Sequence, residues 1–254
     1  MLNIFQSYYG YADGVTSDLG AIGSISTGGA MMLLLIIGVV GYFVQWRLQS
    51  VFKRYSKVSF PNGMTGAELA EKMLRDHGIT DVRVTHTKGH LTDHFNPTNK
   101  TVNLSDSVYS SCSMAAAAVA CHECGHAVQH AQGYAPIRLR SQLVSIVNFA
   151  STAATWVIMA GIAILAATNN ALVCWIGIGL IAMSAVFSIV TLPVEYNASE
   201  RALAWLQRSG YLGGQSIEGA RVSLRWAART YLVAALSAIA TIIYYIALIN
   251  SRRR

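Results

Sequence analysis

The chain has 254 residues, of which 53% are hydrophobic and only 12% charged, and its mean hydropathy is +0.40. Because about a quarter of the residues in an average soluble domain are charged, this composition excludes an ordinary soluble domain and indicates a membrane protein. The net charge of +7 does not indicate a nucleic-acid partner, since no Lys/Arg cluster interleaved with aromatic residues occurs, and anionic lipid head groups are the expected partner of the basic residues.

Three long runs of the chain, 19–46, 141–194 and 230–251, contain no charged residue. A membrane-spanning helix needs about 20 apolar residues, so the middle run is long enough for two spans. The adjacent amides Asn169 and Asn170 are poor helix formers and mark the turn between these two spans. The sequence therefore predicts four membrane helices, near 28–46, 143–168, 171–192 and 230–250.

The charges beside the first apolar run indicate its orientation. A cleaved signal peptide is the alternative, but a signal has a basic start and an apolar region of about 7–15 residues. Here residues 1–27 contain Asp13 and Asp18 and no Lys or Arg, whereas basic residues follow the first helix at once. The positive-inside rule therefore predicts that 1–27 is extracytoplasmic and that 47–140 is cytoplasmic.

The basic tail, 252–254, conflicts with this topology, because an even number of spans would place it outside the cell. Either the last segment does not cross fully or the tail is a tolerated exception. The predicted organisation comprises an extracytoplasmic segment (1–27), a first membrane helix (28–46), a cytoplasmic part (47–140), a membrane hairpin (141–194), cytoplasmic helices (195–229), and a last membrane helix with the tail (230–254).

The polar part of the chain contains signals for short elements. Thr65 and Glu68 form a capping box that predicts a helix ending near Asp76. Alternation over 81–85 and 100–104 predicts two strands, with a turn at Asn96-Pro97. An Ala-rich stretch without a strand-forming run predicts a long helix from about Ser113 to Gln132.

This Ala-rich helix contains His122-Glu123-Cys124-Gly125-His126, an HExxH arrangement. Two histidines four residues apart lie on one helix face and can bind one tetrahedral Zn²⁺. Zinc lowers the pKa of the water that it binds, and a nearby carboxylate can take the proton, so Glu123 is predicted to be the general base. A chance occurrence of the pattern is disfavoured, because an unpartnered Glu in an otherwise uncharged segment would be costly.

A hydrolytic zinc site needs a third protein ligand. His130 shares the histidine face, but it lies two turns, about 11 Å, from His122, so the three histidines cannot meet at one ion. His130 is therefore interpreted as a supporting or substrate-side residue, or as a polar group of the helix face.

Glu195 is the better candidate for the third ligand. Most of the interval after His126 is the predicted membrane hairpin, and a hairpin returns the chain to the face that it left. Glu195 should therefore emerge beside Arg140, close to the metal helix. It is also the first charge after 54 uncharged residues, although an interfacial acid solvated by head groups is the alternative.

With these motifs in place, the chain resembles the YugP-type membrane zinc metallopeptidases, distant relatives of the HtpX and CAAX prenyl protease families. The resemblance is carried by HECGHAVQHA, by PVEYNAS, and upstream by Asp93–Pro97 and Asn99–Leu104. It implies that His122, His126 and Glu195 bind the metal and that Glu123 is the base.

The resemblance also assigns supporting residues. HtpX-like relatives have an Asp four residues after the third ligand, where it supports a ligating His, and this chain has Ser199 there. A hydroxyl can still hydrogen-bond an imidazole, but less strongly than a carboxylate does. Independently of the resemblance, His94 and His130 are further candidates for supporting or substrate-side positions. The resemblance further implies that Thr101–Leu104 forms an edge strand on which an extended peptide could dock.

The expected protein is mainly α-helical and polytopic, with about four transmembrane helices and a small α+β zincin-like (gluzincin) cytoplasmic catalytic part. The expected function is zinc-dependent endopeptidase activity in the cell membrane, on a peptide or protein substrate that includes membrane proteins, with Zn²⁺ as the one cofactor and no nucleic-acid partner. Two alternatives stay open. One is a site-2-type intramembrane protease, although the LDG motif of that class is absent, and the other is a non-catalytic membrane metal-binding or scaffold protein.

Overall fold

The structure, a computed structural model, describes residues 25–211 and 214–252. Within these ranges the chain is mainly helical, as predicted, and contains one small sheet. The helices are α1 (Thr27–Tyr55), α2 (Gly66–Asp76), α3 (Asp106–Tyr109), α4 (Met114–Ala131), α5 (Ala135–Thr168), α6 (Leu172–Arg208) and α7 (Gly214–Arg252). The strands are β1 (Arg83–Thr87), β2 (His94–Asn96) and β3 (Thr101–Ser105). The predictions that depend on Asp13, Asp18, Arg253 and Arg254 concern residues outside the described ranges.

Four helices, α1, α5, α6 and α7, are long and apolar enough to cross a membrane, which confirms the predicted number within the described residues. Asn169 and Asn170 separate α5 from α6, and Asn169 has a φ of 57°, a left-handed conformation that asparagine tolerates well. The helices extend beyond the predicted apolar segments. Hydropathy locates the apolar part of a helix, whereas backbone hydrogen bonding continues into its polar ends.

The described residues form two compact units, and the first comprises 25–40, 146–186 and 234–252. Its described core consists of apolar side chains from α5, α6 and α7, with Ile158, Leu165, Cys174, Ile178 and Ile249 at the centre. A Cβ added at Gly161 would lie 2.8 Å from the backbone nitrogen of Cys174. Glycine therefore permits a close backbone approach, which is a common packing mode of membrane helices.

The second unit comprises Gly41–Ser145 and Phe187–Val233 and contains the sheet. The predicted capping box begins α2, because Thr65 Oγ1 accepts a hydrogen bond from the Glu68 backbone N–H and Glu68 Oε2 accepts one from the Thr65 N–H. Glu68 Oε2 also accepts a hydrogen bond from the Thr65 hydroxyl, and the bonds from the Thr65 N–H and hydroxyl hold the pKa of the Glu68 carboxyl below its usual value. The strand order is β1-β3-β2, with β1 parallel and β2 antiparallel to β3.

The expectation that Thr101–Leu104 forms an edge strand is wrong. These residues belong to β3, which is the central strand and pairs on both sides. Strand β2, which the sequence analysis missed, has only three residues, too few to show alternation. It precedes a turn in which Asn96 Oδ1 accepts hydrogen bonds from two following backbone N–H groups. Strand β2 is therefore the edge strand that follows β3 in the sheet order.

Helix α4 lies at the centre of the second unit, and most of its residues are buried among α2, the sheet and α6. It approaches α6 closely at Gly125. A Cβ added at Gly125 would lie 2.5 Å from the carbonyl oxygen of Ala198, so a side chain there would force the two helices apart.

The first prediction concerns this helix contact. Gly125→Ala should lower the free energy of unfolding by about 1–3 kcal/mol, because the added methyl group must displace backbone rather than a flexible side chain. Thermal unfolding of the purified protein in detergent measures the effect. Gly179→Ala is the matched control, since no atom lies within 4 Å of a Cβ at that position in α6. Equal losses in the two variants would contradict the role of the α4–α6 contact.

Candidate metal centre

The structure brings together the three residues predicted to bind a metal. His122 and His126 lie one turn apart on α4, with ring centroids 4.8 Å apart and ring planes at 81°. Glu195 reaches both from α6, with its Oε2 3.0 Å from His122 Nε2 and its Oε1 3.6 Å from His126 Nε2. The ligand-type atoms of the three side chains all lie within 4.8 Å of one another, close enough to share one metal ion.

Glu195 is a buried carboxylate, with 4% of its surface exposed. A buried charge is costly unless cationic or hydrogen-bonding partners surround it. Arg140 Nη2 lies 3.3 Å from Glu195 Oε1, so the chain does return beside Arg140, as the hairpin argument predicts. Burial by itself lowers the pKa of the His122 imidazole, but the hydrogen bond with Glu195 and the charge of Glu195 outweigh burial and raise this pKa.

The contacts of one Glu195 carboxylate oxygen indicate whether His122, His126 and Glu195 suit a metal ion. Glu195 Oε1 is buried, yet no described residue forms an aligned hydrogen bond with it. Its contacts with Arg140 and His126 are longer ionic contacts. A cation between the carboxylate and the two imidazoles would satisfy this oxygen, and two nitrogens with one carboxylate oxygen form a common zinc ligand set. The residues therefore fit a zinc ion.

Each imidazole also has a hydrogen-bond partner at Nδ1, the ring nitrogen that does not face Glu195. Ser199 Oγ lies 3.1 Å from His122 Nδ1, which is the contact expected of the residue four positions after Glu195. Gln129 Oε1 lies 3.0 Å from His126 Nδ1. Such partners orient ligating imidazoles and direct the opposite nitrogen towards the metal.

The surroundings of Gln129 determine which nitrogen of His126 carries the proton. The Gln129 amide group donates hydrogen bonds to the Val194 carbonyl at 2.8 Å and to Asn197 Oδ1 at 2.9 Å. Asn197 Oδ1 also accepts a hydrogen bond from Arg201 Nε, so it is an acceptor. Gln129 Oε1 must then face His126 and accept from an Nδ1–H. The lone pair of neutral His126 is consequently on Nε2, the nitrogen nearest Glu195.

Glu123 does not join the His122, His126 and Glu195 group, in agreement with its predicted role as a base rather than a ligand. It is 9% exposed, and its Oε2 accepts a hydrogen bond of 3.0 Å from the Phe95 backbone N–H. Phe95 is the middle residue of β2. The edge strand β2 therefore holds Oε2 of the Glu123 carboxylate, and this hydrogen bond does not involve Oε1.

The other two predicted supporting residues lie away from the metal group. His130 is exposed, and its ring packs beside Phe95 with centroids 5.7 Å apart. His94 contacts the Thr92 carbonyl through Nδ1 and the Asn103 amide through Nε2. Neither histidine belongs to the described cluster of metal-type ligands.

Cys121 and Cys124 form a CxxC pattern on α4, and both are buried small residues. Cys121 and Cys124 are free and fully buried, and Cys124 Sγ donates to the Ala70 carbonyl. Burial raises the pKa of both thiols, so neither is a ready thiolate for redox chemistry or metal binding.

Sequence reasoning missed the roles of Gln129 and of the Phe95 N–H. The available signal for Gln129 was its position three residues after His126, on an Ala-rich helix where a polar side chain needs a partner. No signal pointed to the Phe95 N–H, because a backbone donor is revealed only by the position of its strand.

Comparisons with known proteins agree with this geometry. Residues 30–250 match the family described as "Putative neutral zinc metallopeptidase". The chain is 40% identical over 210 residues to "Putative membrane protease YugP" of Bacillus subtilis (strain 168), an alignment that covers 81% of this chain and 91% of that protein. No solved structure matches the chain. The family match includes His122, His126 and Glu195.

The second prediction concerns Gln129. Gln129→Met should lower the affinity for Zn²⁺ by about 10- to 100-fold, because His126 loses the acceptor that fixes its Nδ1–H. Competition with a chelator of known affinity measures the change. Gln207→Met makes the same chemical change on an exposed side chain near the end of α6, and it should alter zinc affinity little. Unchanged affinity in a folded Gln129→Met variant would contradict the assignment.

Proposed function

We propose, from the premise that the chain belongs to the neutral zinc metallopeptidase family, that it is a membrane zinc endopeptidase with Glu123 as general base. The observation that carries this proposal is the convergence of His122, His126 and Glu195 around a carboxylate oxygen without an aligned hydrogen bond from any described residue. Four helices suited to membrane crossing support the membrane location.

In the proposed mechanism, the His122 and His126 imidazoles and the Glu195 carboxylate hold the zinc ion. Zinc, when bound, supplies Lewis-acid chemistry that acidifies water and polarises a peptide carbonyl. Ser199 and Gln129 orient the two imidazoles, and Arg140 balances part of the buried charge of Glu195. These contacts pre-organise the site before substrate arrives.

Glu123 moves the proton in this mechanism. The Phe95 N–H holds Oε2, which leaves Oε1 to take a proton from the attacking water and to pass it to the nitrogen of the leaving amine. A general base must lie within hydrogen-bond reach of the proton that it takes. The hydrogen bond from Phe95 restricts the orientation of the Glu123 carboxylate, which favours such a fixed position. Glu123 therefore acts on the water and the leaving group rather than as a ligand.

The catalytic part is proposed to be zincin-like and cytoplasmic. Three features support a zincin-like arrangement: the HExxH helix α4, the small sheet beside it, and the third ligand on α6. The concentration of Lys and Arg in 47–140 and 195–229 supports the cytoplasmic orientation. The proposed substrate is a peptide or protein, including membrane proteins.

The helix that carries HExxH is not one of the four apolar helices in the described ranges. Helix α4 instead packs in the core of the second unit with α2 and the sheet. This packing supports a catalytic helix outside the bilayer and disfavours the site-2-type alternative, in which HExxH lies within the membrane.

The third prediction separates base from ligands. Glu123→Gln should keep stoichiometric zinc and lose nearly all hydrolysis of an unfolded protein such as casein, because an amide cannot take the proton. His122→Ala, His126→Ala and Glu195→Ala should each lose zinc. Metal analysis of the purified variants and a fluorescent casein assay measure the two properties.

Glu200→Gln is the matched control for the carboxylate substitutions, since Glu200 is exposed and lies on α6 close to Glu195. It should keep both zinc and activity. Loss of zinc in Glu123→Gln would make Glu123 a ligand. Full activity in Glu123→Gln would favour a non-catalytic metal-binding protein and overturn the proposed mechanism.

The fourth prediction concerns topology. In a background where the exposed Cys112 is replaced by serine, Leu139→Cys and Glu200→Cys should react with a membrane-impermeant maleimide only after access to the cytoplasm is opened. Asn170→Cys should react on intact cells, because it lies in the turn between α5 and α6. Labelling of residues 139 and 200 from opposite faces would contradict the hairpin.

A further inference from the structure

Aromatic and arginine side chains pack together at another place in the second unit, outside the metal centre. We name it the Trp226 cluster, and it consists of Phe43, Trp46 and Arg47 from α1 with Trp226 and Arg229 from α7. The Arg229 Cζ lies 4.2 Å from the centroid of the Trp226 ring, and the Arg47 Cζ lies 5.8 Å from the same centroid. The Phe43 ring packs edge-on against Trp226 at 6.2 Å and tilted against Trp46 at 5.9 Å.

The two guanidinium groups lack an acidic counterpart in the part of the chain whose side chains are described. Among residues 25–211 and 217–252, no carboxylate forms an ion pair with Arg47, Arg229 or the neighbouring Arg225, although Arg221 on the same helix pairs with Glu218. All three unpaired arginines are exposed. Two like charges over one ring repel each other, so an anion bound to both would stabilise the arrangement.

The position of the cluster in the sequence identifies the class of anion. Arg47 is the first charge after the uncharged run that ends at Trp46, and Arg229 is the last charge before the run that begins at Thr230. Arginine and tryptophan at the ends of spanning helices lie at the level of the lipid head groups. An arginine fork can also form two hydrogen bonds with a phosphate group.

From this geometry we propose that the Trp226 cluster binds the head-group phosphate of an anionic phospholipid. Arg47 and Arg229 bind the phosphate, while the Trp226 ring keeps their planar groups in place by cation–π contact. Phe43 and Trp46 are 51% and 52% exposed and offer an apolar surface for the acyl chains of the same lipid. A soluble phosphate ion would use only the arginines, so the aromatic side chains favour a phospholipid. This site is independent of the proposed zinc chemistry.

The test uses the full chain, purified in detergent and stripped of lipid, in titrations followed by native mass spectrometry. The probes are dioleoyl phosphatidylglycerol, dioleoyl phosphatidylcholine and inorganic phosphate. The wild type should bind phosphatidylglycerol more tightly than phosphatidylcholine. The double variant Arg47→Gln/Arg229→Gln should lose about 10- to 30-fold in affinity for phosphatidylglycerol and change little for phosphatidylcholine.

Matched controls separate a local site from net charge. Arg83→Gln/Arg208→Gln removes two exposed arginines elsewhere in the same unit and should keep the wild-type preference. Trp226→Leu keeps every charge and should lower phosphatidylglycerol affinity about 2- to 5-fold, whereas Trp226→Phe should retain most of it.

Three results would overturn the proposal. They are an unchanged lipid preference in Arg47→Gln/Arg229→Gln, an equal loss in the Arg83→Gln/Arg208→Gln control, and competition by inorganic phosphate at concentrations equal to those of the lipid. Circular dichroism identifies any variant that fails to fold. The Trp226→Leu and Trp226→Phe pair then decides the outcome, because equal affinities in these two variants would also exclude the site.

Discussion

The close approach of α4 and α6 at Gly125 is the constraint on which the metal centre depends. The Ala198 carbonyl lies so near that no side chain fits between the two backbones. Glu195 and Ser199, which flank Ala198 on α6, therefore reach the two imidazoles that α4 presents. A wider separation would take the two imidazoles away from the buried Glu195 carboxylate, and the cost of burying that charge without these partners couples helix packing to the chemistry of the site.

The protonation pattern of His126 is determined by its hydrogen-bond partner, whereas that of His122 is not. Gln129 has one possible orientation, because its amide donates to a backbone carbonyl and to an oxygen that already accepts from Arg201. It therefore specifies the tautomer of His126. Ser199 has a hydroxyl that can rotate, so its contact with His122 supports the ring without specifying the proton. A buried network in which every polar group of Gln129 has a partner favours one arrangement of His126 over its alternatives.

The small sheet connects to the site through one backbone group. The N–H of Phe95 binds the Glu123 carboxylate, and Phe95 lies in β2, whose pairing with β3 determines where that N–H points. The orientation of the proposed base thus depends on an edge strand of three residues. The Trp226 cluster concerns the membrane rather than the metal centre. Its arginines, which form no ion pair with a described carboxylate, lie next to the uncharged runs of α1 and α7.

Local patterns in the sequence determined much of this protein. The spacing of His122, Glu123 and His126, the capping box at Thr65, and the three apolar runs are all local patterns along the chain, so they could be recognised without knowledge of distant contacts. Glu195 was also found, because a hairpin must return the chain. Only the tertiary structure decided that β3 is central and β2 is the edge, that Gln129 orients His126, and that Phe95 holds Glu123. Each of these features depends on the pairing of groups far apart in the chain, and a polar side chain or a backbone N–H does not reveal its partner until the elements around it are packed.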